Sequence, residues 1–378
     1  MFGQGERPST ARICWAGVTT SQASQPDRSE KLLAARPAWG KGEGRGGESM
    51  TIEKLAIIGG GAWGTALAQV ASTGGRETLL WAFEEEVVSA VNRIHENPIY
   101  LKGQKLNETI RATSNFSDLS GCDAWLVVTP AQHMRAVLGR SPCPNMPLVL
   151  CSKGIEESSG KLLHDVAHEV CPTSPVAVLS GPTFAHEVAA GLPTAVTLAC
   201  EDKALGEELR ARINLPQFRT YLTDDVCGAE VGGAVKNVLA IACGVAEGRG
   251  LGQNARAALI ARGFAEMVRF GMSMGGRRET LAGLSGLGDL VLTCSSTSSR
   301  NFSLGKAIGE GRSAAELMAD RRTVAEGAHT APVLHRIAVE RNIDMPLVSA
   351  VVELLEGRVQ IDELLHSMLS RPPGDEED

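Results

Sequence analysis

Leu55-Ala-Ile-Ile-Gly-Gly-Gly-Ala-Trp-Gly-Thr-Ala-Leu67 reads as a strand, a glycine turn and a helix. Gly59, Gly61 and Gly64 satisfy G-x-G-x-x-G. At a strand-to-helix junction the first glycine makes the tight turn, the second lets a pyrophosphate approach the backbone, and the third lets helix pack on strand. The pyrophosphate belongs at the N-terminus of the helix that opens near Ala62, where unpaired N–H groups and the helix dipole favour an anion. Three glycines alone are a weak signal. In this setting, at the head of an alternating strand–helix pattern, they are a dinucleotide fingerprint.

Outward from that turn the alternation continues. Strands are predicted over 55–58, 78–82, 124–129, 147–151, 176–179 and 195–199, and helices over 62–72, 84–94, 161–170 and 202–213. Near-continuous apolar strands separated by helices predict a parallel sheet covered on both faces. Past residue 224 the strand pattern stops, and helices are predicted over 226–246, 255–274, 300–308, 325–339, 346–356 and 361–369. The fold class is therefore α/β: a Rossmann-type dinucleotide-binding domain over 50–224, then an all-helical substrate and catalytic domain over 225–371, with a loose acidic tail at 372–378. Residues 1–49 are rich in Gly, Ser, Arg and Pro and carry no period, so they read as a disordered or non-native extension. Met50, directly before the first strand, is the expected true start.

Composition narrows the partners. The chain has 378 residues with a net charge of −7 and a pI near 5.7, and no basic stripe interleaved with aromatics, which argues against nucleic acid. No uncharged apolar run reaches the length of a membrane span. The nine cysteines are scattered and contain no Cys-x-x-Cys pair, which fits reduced thiols and a cytoplasmic location. His164-Asp-Val-Ala-His168 resembles a zinc-binding H-E-x-x-H. No third ligand accompanies it and its histidines read as an ordinary polar helix face, so no metal is expected.

The second strand ends Leu80-Trp-Ala-Phe-Glu84, followed by Glu85 and Glu86. That end normally meets the adenosine ribose, where a carboxylate favours NAD and a cation accommodates the 2′-phosphate of NADP. Phe83 is neither. The glutamates lean toward NAD, or are simply the favoured acidic first turn of the next helix. Two loops then follow strand ends, one carrying Lys153, the other Gly181 and Thr183. A lysine, a glycine and a hydroxyl at neighbouring strand ends suit an oxygen-rich small anion.

Val231-Gly-Gly-Ala-Val-Lys-Asn-Val-Leu-Ala-Ile-Ala242 is a helix that is apolar almost all round, with Lys236 in its middle. Desolvation would lower the amine's pKa toward the range where it accepts a proton at neutral pH. The plainer alternative is a lysine whose stem packs while its amine reaches water. Gly232 and Gly233 invite close approach of another backbone or a ligand. Asp289, between a glycine-rich turn and an apolar run, can cap a helix or orient a hydroxyl or the Lys236 amine. Ser299-Arg-Asn301 at a predicted helix N-terminus offers a phosphate clamp of guanidinium and N–H donors, or a routine cap.

Taken in order, these motifs resemble the bacterial NAD(P)-dependent sn-glycerol-3-phosphate dehydrogenases. The resemblance covers about residues 54–369, through Ile58-Gly-Gly-Gly-Ala-Trp-Gly-Thr-Ala-Leu-Ala68, Ser152-Lys-Gly-Ile-Glu156, Ser180-Gly-Pro-Thr-Phe-Ala185, Gly191-Leu-Pro-Thr194, Gly232-Gly-Ala-Val-Lys-Asn237, Asn254-Ala-Arg256, Gly286-Leu-Gly-Asp-Leu-Val-Leu-Thr-Cys294, Ser299-Arg-Asn301 and Val324-Ala-Glu-Gly327. It implies hydride exchange between NADP or NAD and dihydroxyacetone phosphate or sn-glycerol 3-phosphate, feeding phospholipid synthesis. It implies Lys236 as proton acceptor when the alcohol is oxidised. Lys153, Gly181, Thr183, Lys236, Asp289, Ser299, Arg300 and Asn301 fall on substrate positions. Ala62, Trp63, Lys153, Ala185, Arg300, Val324 and Glu326 fall on coenzyme positions. Phe83 departs from the basic residue common there, and His186 from an expected lysine. The alternatives are a β-hydroxyacid dehydrogenase of the 6-phosphogluconate or hydroxyisobutyrate type, sharing the two-domain plan and a helix lysine, and a non-catalytic dinucleotide sensor. By analogy a helical second domain also suits a homodimer.

Overall fold

The computed structural model describes residues 52–140, 145–319 and 325–363. The extension 1–49, the tail 372–378, Val324 and most of the helix predicted over 361–369 lie outside these residues.

Among the described residues ten strands are formed: β1 (Lys54–Ile58), β2 (Glu77–Trp81), β3 (Glu96–Asn97), β4 (Leu101–Lys105), β5 (Arg111–Thr113), β6 (Ala124–Val127), β7 (Leu148–Leu150), β8 (Val176–Ser180), β9 (Thr194–Ala199) and β10 (Phe218–Thr223). Eight of them make one sheet in the order β10-β9-β8-β7-β6-β1-β2-β5, and β3 pairs with β4 in a separate hairpin. Between the sheet strands run α1 (Ala62–Thr73), α2 (Glu85–Ile94), α3 (Met134–Leu138), α4 (Leu163–Val170), α5 (Ala185–Ala189) and α6 (Lys203–Ile213). Both sheet faces are covered. Leu55 and Ile57 point into one apolar cluster and Ala56 and Ile58 into another, the alternation a pleated strand imposes.

The parallel-sheet expectation needs correction at one junction. β8 pairs with β9 antiparallel, whereas β9 and β10 are parallel to each other, so the last two strands run against the other six. The short α5 segment between β8 and β9 replaces a full crossover helix, and a chain that does not cross over returns antiparallel. The sequence reading also lacks β10. Its residues alternate, with Phe218 and Thr220 buried and Arg219 and Tyr221 exposed. That is the pattern of an edge strand wetted on one side, unlike the apolar runs of the central strands.

From Asp225 onward the described residues are helical. Asp225 opens α7 (Val226–Gly248) by accepting the Gly228 N–H at 2.8 Å through Oδ1. Around α7 pack α8 (Gly252–Ser273), α9 (Arg278–Leu281), α10 (Asp289–Thr293), α11 (Arg300–Gly309), α13 (Glu326–Glu340) and α14 (Pro346–Leu355), with α12 (Ala314–Ala319) against α11 and α14. α7 is long and apolar enough to cross a membrane by length and composition, with a mean hydropathy of 1.4, yet 94% of that stretch is buried inside the fold. It is the axis of the helical core.

One seam fixes the site. A Cβ on Gly244 would lie 2.1 Å from the Phe302 carbonyl oxygen, and one on Gly305 would lie 2.0 Å from that of Ile241. Only glycines allow α7 and α11 to approach backbone to backbone. The contact brings the first turn of α11 beside the middle of α7, where Lys236 and Asn237 stand: Asn301 Nδ2 donates to Asn237 Oδ1 at 2.9 Å.

Candidate active site

The glycine turn supplies the first half of the candidate site. Gly59 has φ +127°, its N–H bonds the Trp81 carbonyl at 2.9 Å, and a Cβ there would lie 2.8 Å from the Val128 oxygen. A Cβ on Gly64 would sit 1.9 Å from the Gly59 oxygen, whereas one on Gly61 would meet nothing within 4 Å. Two glycines are demanded by the fold itself, and the third faces open space. No side chain caps the N-terminus of α1, so the N–H groups at Ala62 and Trp63 point where an anion can take them. Trp63 Nε1 is buried without a partner. The loop is braced from below by Asn97, which is fully buried and donates to the Gly60 carbonyl at 2.7 Å and to Thr65 Oγ1 at 2.8 Å. These features fit a dinucleotide's pyrophosphate. Ala185 opens α5, which packs against α1.

The second half is a buried charge cluster. Lys236 is 6% exposed, so its amine does not reach out to water. It donates to Asp289 Oδ1 and to Thr293 Oγ1, each at 2.7 Å. Burial pushes the amine's pKa down from 10.5 to about 8, with the Lys153 charge adding to the fall and Asp289 opposing it. Asp289 is fully buried, and its other oxygen accepts from Lys153 Nζ at 2.6 Å. Lys153 also donates to the Gly181 carbonyl at the end of β8, at 3.1 Å. One carboxylate thus holds two amines that come from two distant parts of the chain. Of the two roles open to Asp289 in the sequence, orienting the Lys236 amine is the one its contacts match.

Local packing explains the placement. The turn Leu284–Gly288 is wound with an i→i+5 bond, Gly288 N–H to the Gly283 carbonyl at 3.0 Å, and delivers Asp289 to the first position of α10. A Cβ on Gly232 would lie 2.5 Å from the Ser285 oxygen of this turn, and one on Gly233 would lie 3.3 Å from Cγ of Lys153. The glycine pair therefore admits the turn and the lysine stem to the surface of α7. Ser180 Oγ, 3.0 Å from that same Cβ position, is buried without a partner beside the cluster. Thr183 Oγ1 donates to the Gly181 oxygen at 3.3 Å.

At the start of α11, Ser299 accepts the Phe302 N–H at 3.2 Å as a helix cap, and Arg300 is exposed. Asn301 is committed to the fold on both sides: besides Asn237, its Oδ1 accepts the Gly327 N–H at 2.9 Å. Ser299 keeps a hydroxyl proton and Asn301 a second amide hydrogen for an incoming acceptor. Glu326, the first residue of α13, has its pKa raised by burial against the opposing pull of Arg300, Lys153 and Lys236. Three cations and two carboxylates, Asp289 and Glu326, therefore share this space, a balance that favours an anion. Val324 lies outside the described residues.

Other readings shift. His164 is not on a polar face: it is buried, its N–H donates to Glu230 Oε1 at 3.0 Å, and its Nδ1 lies 2.5 Å from Glu230 Oε2 on α7. No cluster of three or more metal-ligand side chains occurs among the described residues. The seven cysteines described are all buried. Glu84 and Glu85 have their carboxylates occupied by the hydroxyls of Tyr100 and Ser114, each at 2.6 Å, and Glu85 and Glu86 form the acidic first turn of α2. The sequence reading missed Thr293, although it stands one helical turn after Asp289, the spacing that lets both face one amine.

Comparison with known proteins gives the family. The family model for the NAD-dependent glycerol-3-phosphate dehydrogenase N-terminus matches residues 54–206, and that for its C-terminus matches 225–366. The chain is 64% identical over 323 residues to the NAD(P)+ glycerol-3-phosphate dehydrogenase of Erythrobacter litoralis, covering 85% of this chain and 97% of the relative. It is 61% identical over 327 residues to that of Novosphingobium aromaticivorans, covering 85% and 98%. The crystal structure of glycerol-3-phosphate dehydrogenase from Coxiella burnetii superposes with a TM-score of 0.80 at 38% identity, over 85% of this chain and all of that one.

Proposed function

The chain belongs to the NAD-dependent glycerol-3-phosphate dehydrogenase family, and from that membership we propose how its residues divide the work. The protein is an oxidoreductase that interconverts dihydroxyacetone phosphate and sn-glycerol 3-phosphate with NAD or NADP, supplying glycerol 3-phosphate for phospholipid synthesis. The hydroxyacid-dehydrogenase and sensor readings fall away with that membership.

When bound, the coenzyme's nicotinamide supplies the hydride chemistry at C2. The chain's own task is the proton. In the oxidative direction the Lys236 amine takes it from the C2 hydroxyl; in the reductive direction the ammonium returns it. An amine with a pKa near 8 is matched to both directions near neutral pH. Asp289 and Thr293 hold Nζ in place, and Lys153 supplies a fixed positive charge on the far side of the same carboxylate. Arg300, the Ser299 hydroxyl and the spare hydrogen of Asn301 receive the phosphate at the head of α11, with Gly181 and Thr183 lining the opposite side. Gly59, Gly61, Ala62, Trp63, Gly64, Phe83 and Ala185 hold the coenzyme, with Lys153, Arg300 and Glu326 at its reactive end; Val324 is carried over as a coenzyme position from the resemblance alone. We place the protein in the cytoplasm, with a homodimer built on the helical half.

The observation that carries this reading is the Lys236 amine, buried and aimed by Asp289 and Thr293. Lys236→Ala should leave coenzyme affinity within a few-fold and lower turnover by roughly 10²–10⁴. Turnover with dihydroxyacetone phosphate and NADH or NADPH that survives the substitution removes the lysine from the mechanism.

A further inference from the structure

The coenzyme end of the cleft lacks a cation at the position where the second strand stops, because Phe83 stands there. A cation arrives from elsewhere. Arg140, just past α3, carries its guanidinium carbon 5.5 Å from the ring centroid of Trp81 and 5.8 Å from that of Phe83. We propose that Arg140, held over these two rings, receives the adenosine 2′-phosphate of NADP and makes this chain discriminate for it. The proposal rests on the reading of the glycine turn and β2 as the dinucleotide site.

Four observations meet at this point. The end of β2 is where a bound dinucleotide places its adenosine ribose, so a group beside Phe83 faces the 2′ position. The platform is fixed: Trp81 is 3% exposed, its Nε1 donates to the Ser114 carbonyl at 3.0 Å, and Phe116 meets it edge-on with centroids 5.3 Å apart. A guanidinium over an aromatic face keeps its N–H edges free, and its planar fork matches two phosphate oxygens at once. The neighbouring acids bond hydroxyls and not the guanidinium, Glu84 that of Tyr100 and Glu85 that of Ser114. No carboxylate pairs with Arg140 among the described residues. Phe83, 70% exposed, is the most exposed large apolar side chain described. A ring left in water beside a ligand cleft is put to use when a cation or a base lies on it.

The test is binding, not turnover. Calorimetric titration of the full chain with adenosine 2′,5′-bisphosphate against 5′-AMP, and with NADPH against NADH, compares two pairs of ligands whose members differ only in the 2′-phosphate. Arg140→Ala should weaken the two ligands that carry it by about tenfold to a hundredfold and leave 5′-AMP and NADH within about twofold. In the unsubstituted chain the NADPH-to-NADH affinity ratio should fall as salt is added, and Arg140→Ala should abolish that dependence. Equal losses for all four ligands would make Arg140 a structural or base-stacking residue and overturn the proposal, as would no loss for any. Failure of the unsubstituted chain to bind either NADH or NADPH would instead sink the dinucleotide reading itself.

Discussion

The two ends of the cleft are built by opposite means. At the catalytic end, Lys236, Asp289 and Thr293 are all buried, each amine or oxygen has a partner within 3.3 Å, and two glycines of α7 set the spacing. At the coenzyme end, a cation rests on two aromatic rings at the rim, and one of those rings is mostly in water. Burial makes the first end strong in electrostatic terms and intolerant of change, because a lost partner leaves a charge without water to replace it. Exposure makes the second end cheap to alter, since solvent screens whatever is added or removed. On the proposed assignment, proton transfer falls to the first and discrimination between coenzymes to the second.

Breaking the buried end should therefore give the largest effect. Asp289→Asn removes the carboxylate charge that is hydrogen-bonded to both amines. Turnover should fall by more than about tenfold, and stability by about 3–5 kcal/mol, the cost of leaving a buried charge without its partner. The pH dependence gives a sign that a merely structural role would not. Burial lowers the Lys236 pKa to about 8 and Asp289 raises it. Oxidation of glycerol 3-phosphate needs the free amine, so kcat/KM should climb with pH and level off above about 8 in the unsubstituted protein. Without the Asp289 charge that limb should move to lower pH. A limb that stays in place, or moves upward, would contradict the assignment.

The same end can be disturbed without touching a charge. Gly244→Val places side-chain atoms where the Phe302 carbonyl lies 2.1 Å from the Cβ position. α7 and α11 must separate, at about 1–3 kcal/mol of stability, and the head of α11 moves away from Lys236. The KM for dihydroxyacetone phosphate should rise several-fold while NADH affinity, set mainly by β1 and α1 with Arg300 as its one contact on α11, falls by a smaller factor. Denaturant unfolding and steady-state kinetics on one preparation check both, and an equal loss of NADH affinity would show that the two ends are not independent.

How much of this the sequence declares follows from the same contrast. Gly59 and Gly64 are forced by backbone contacts at 2.8 and 1.9 Å, and such constraints leave a fixed spacing that reads directly. Lys236 stands out because a charge in an apolar helix has few explanations. Gly232 and Gly233 announce close approach without naming what approaches, since the turn before Asp289 arrives from a distant segment. β10 escapes because an edge strand alternates instead of running apolar, and the reversal at β9 escapes because nothing local records strand direction. Arg140 is the extreme case. Its neighbours Trp81 and Phe83 belong to another part of the chain, stacking imposes no spacing, and an exposed arginine after a short helix resembles any other.

The smallest expected effect tests the rim most finely. Phe83→Ala removes one of the two rings beneath Arg140 and leaves Trp81. Because Phe83 is 70% exposed, stability should change by no more than about 0.5 kcal/mol. A cation over an exposed ring gains about 0.5–1 kcal/mol, so the guanidinium should lose a part of its placement but none of its charge. The NADPH-to-NADH affinity ratio should then fall by about two- to fivefold, well short of the loss from Arg140→Ala. A fall as large as that one would mean that Phe83 sets the position of Arg140 unaided. No fall at all would mean that Trp81 alone suffices, and that the exposed ring serves the adenine, which the affinity for 5′-AMP would report.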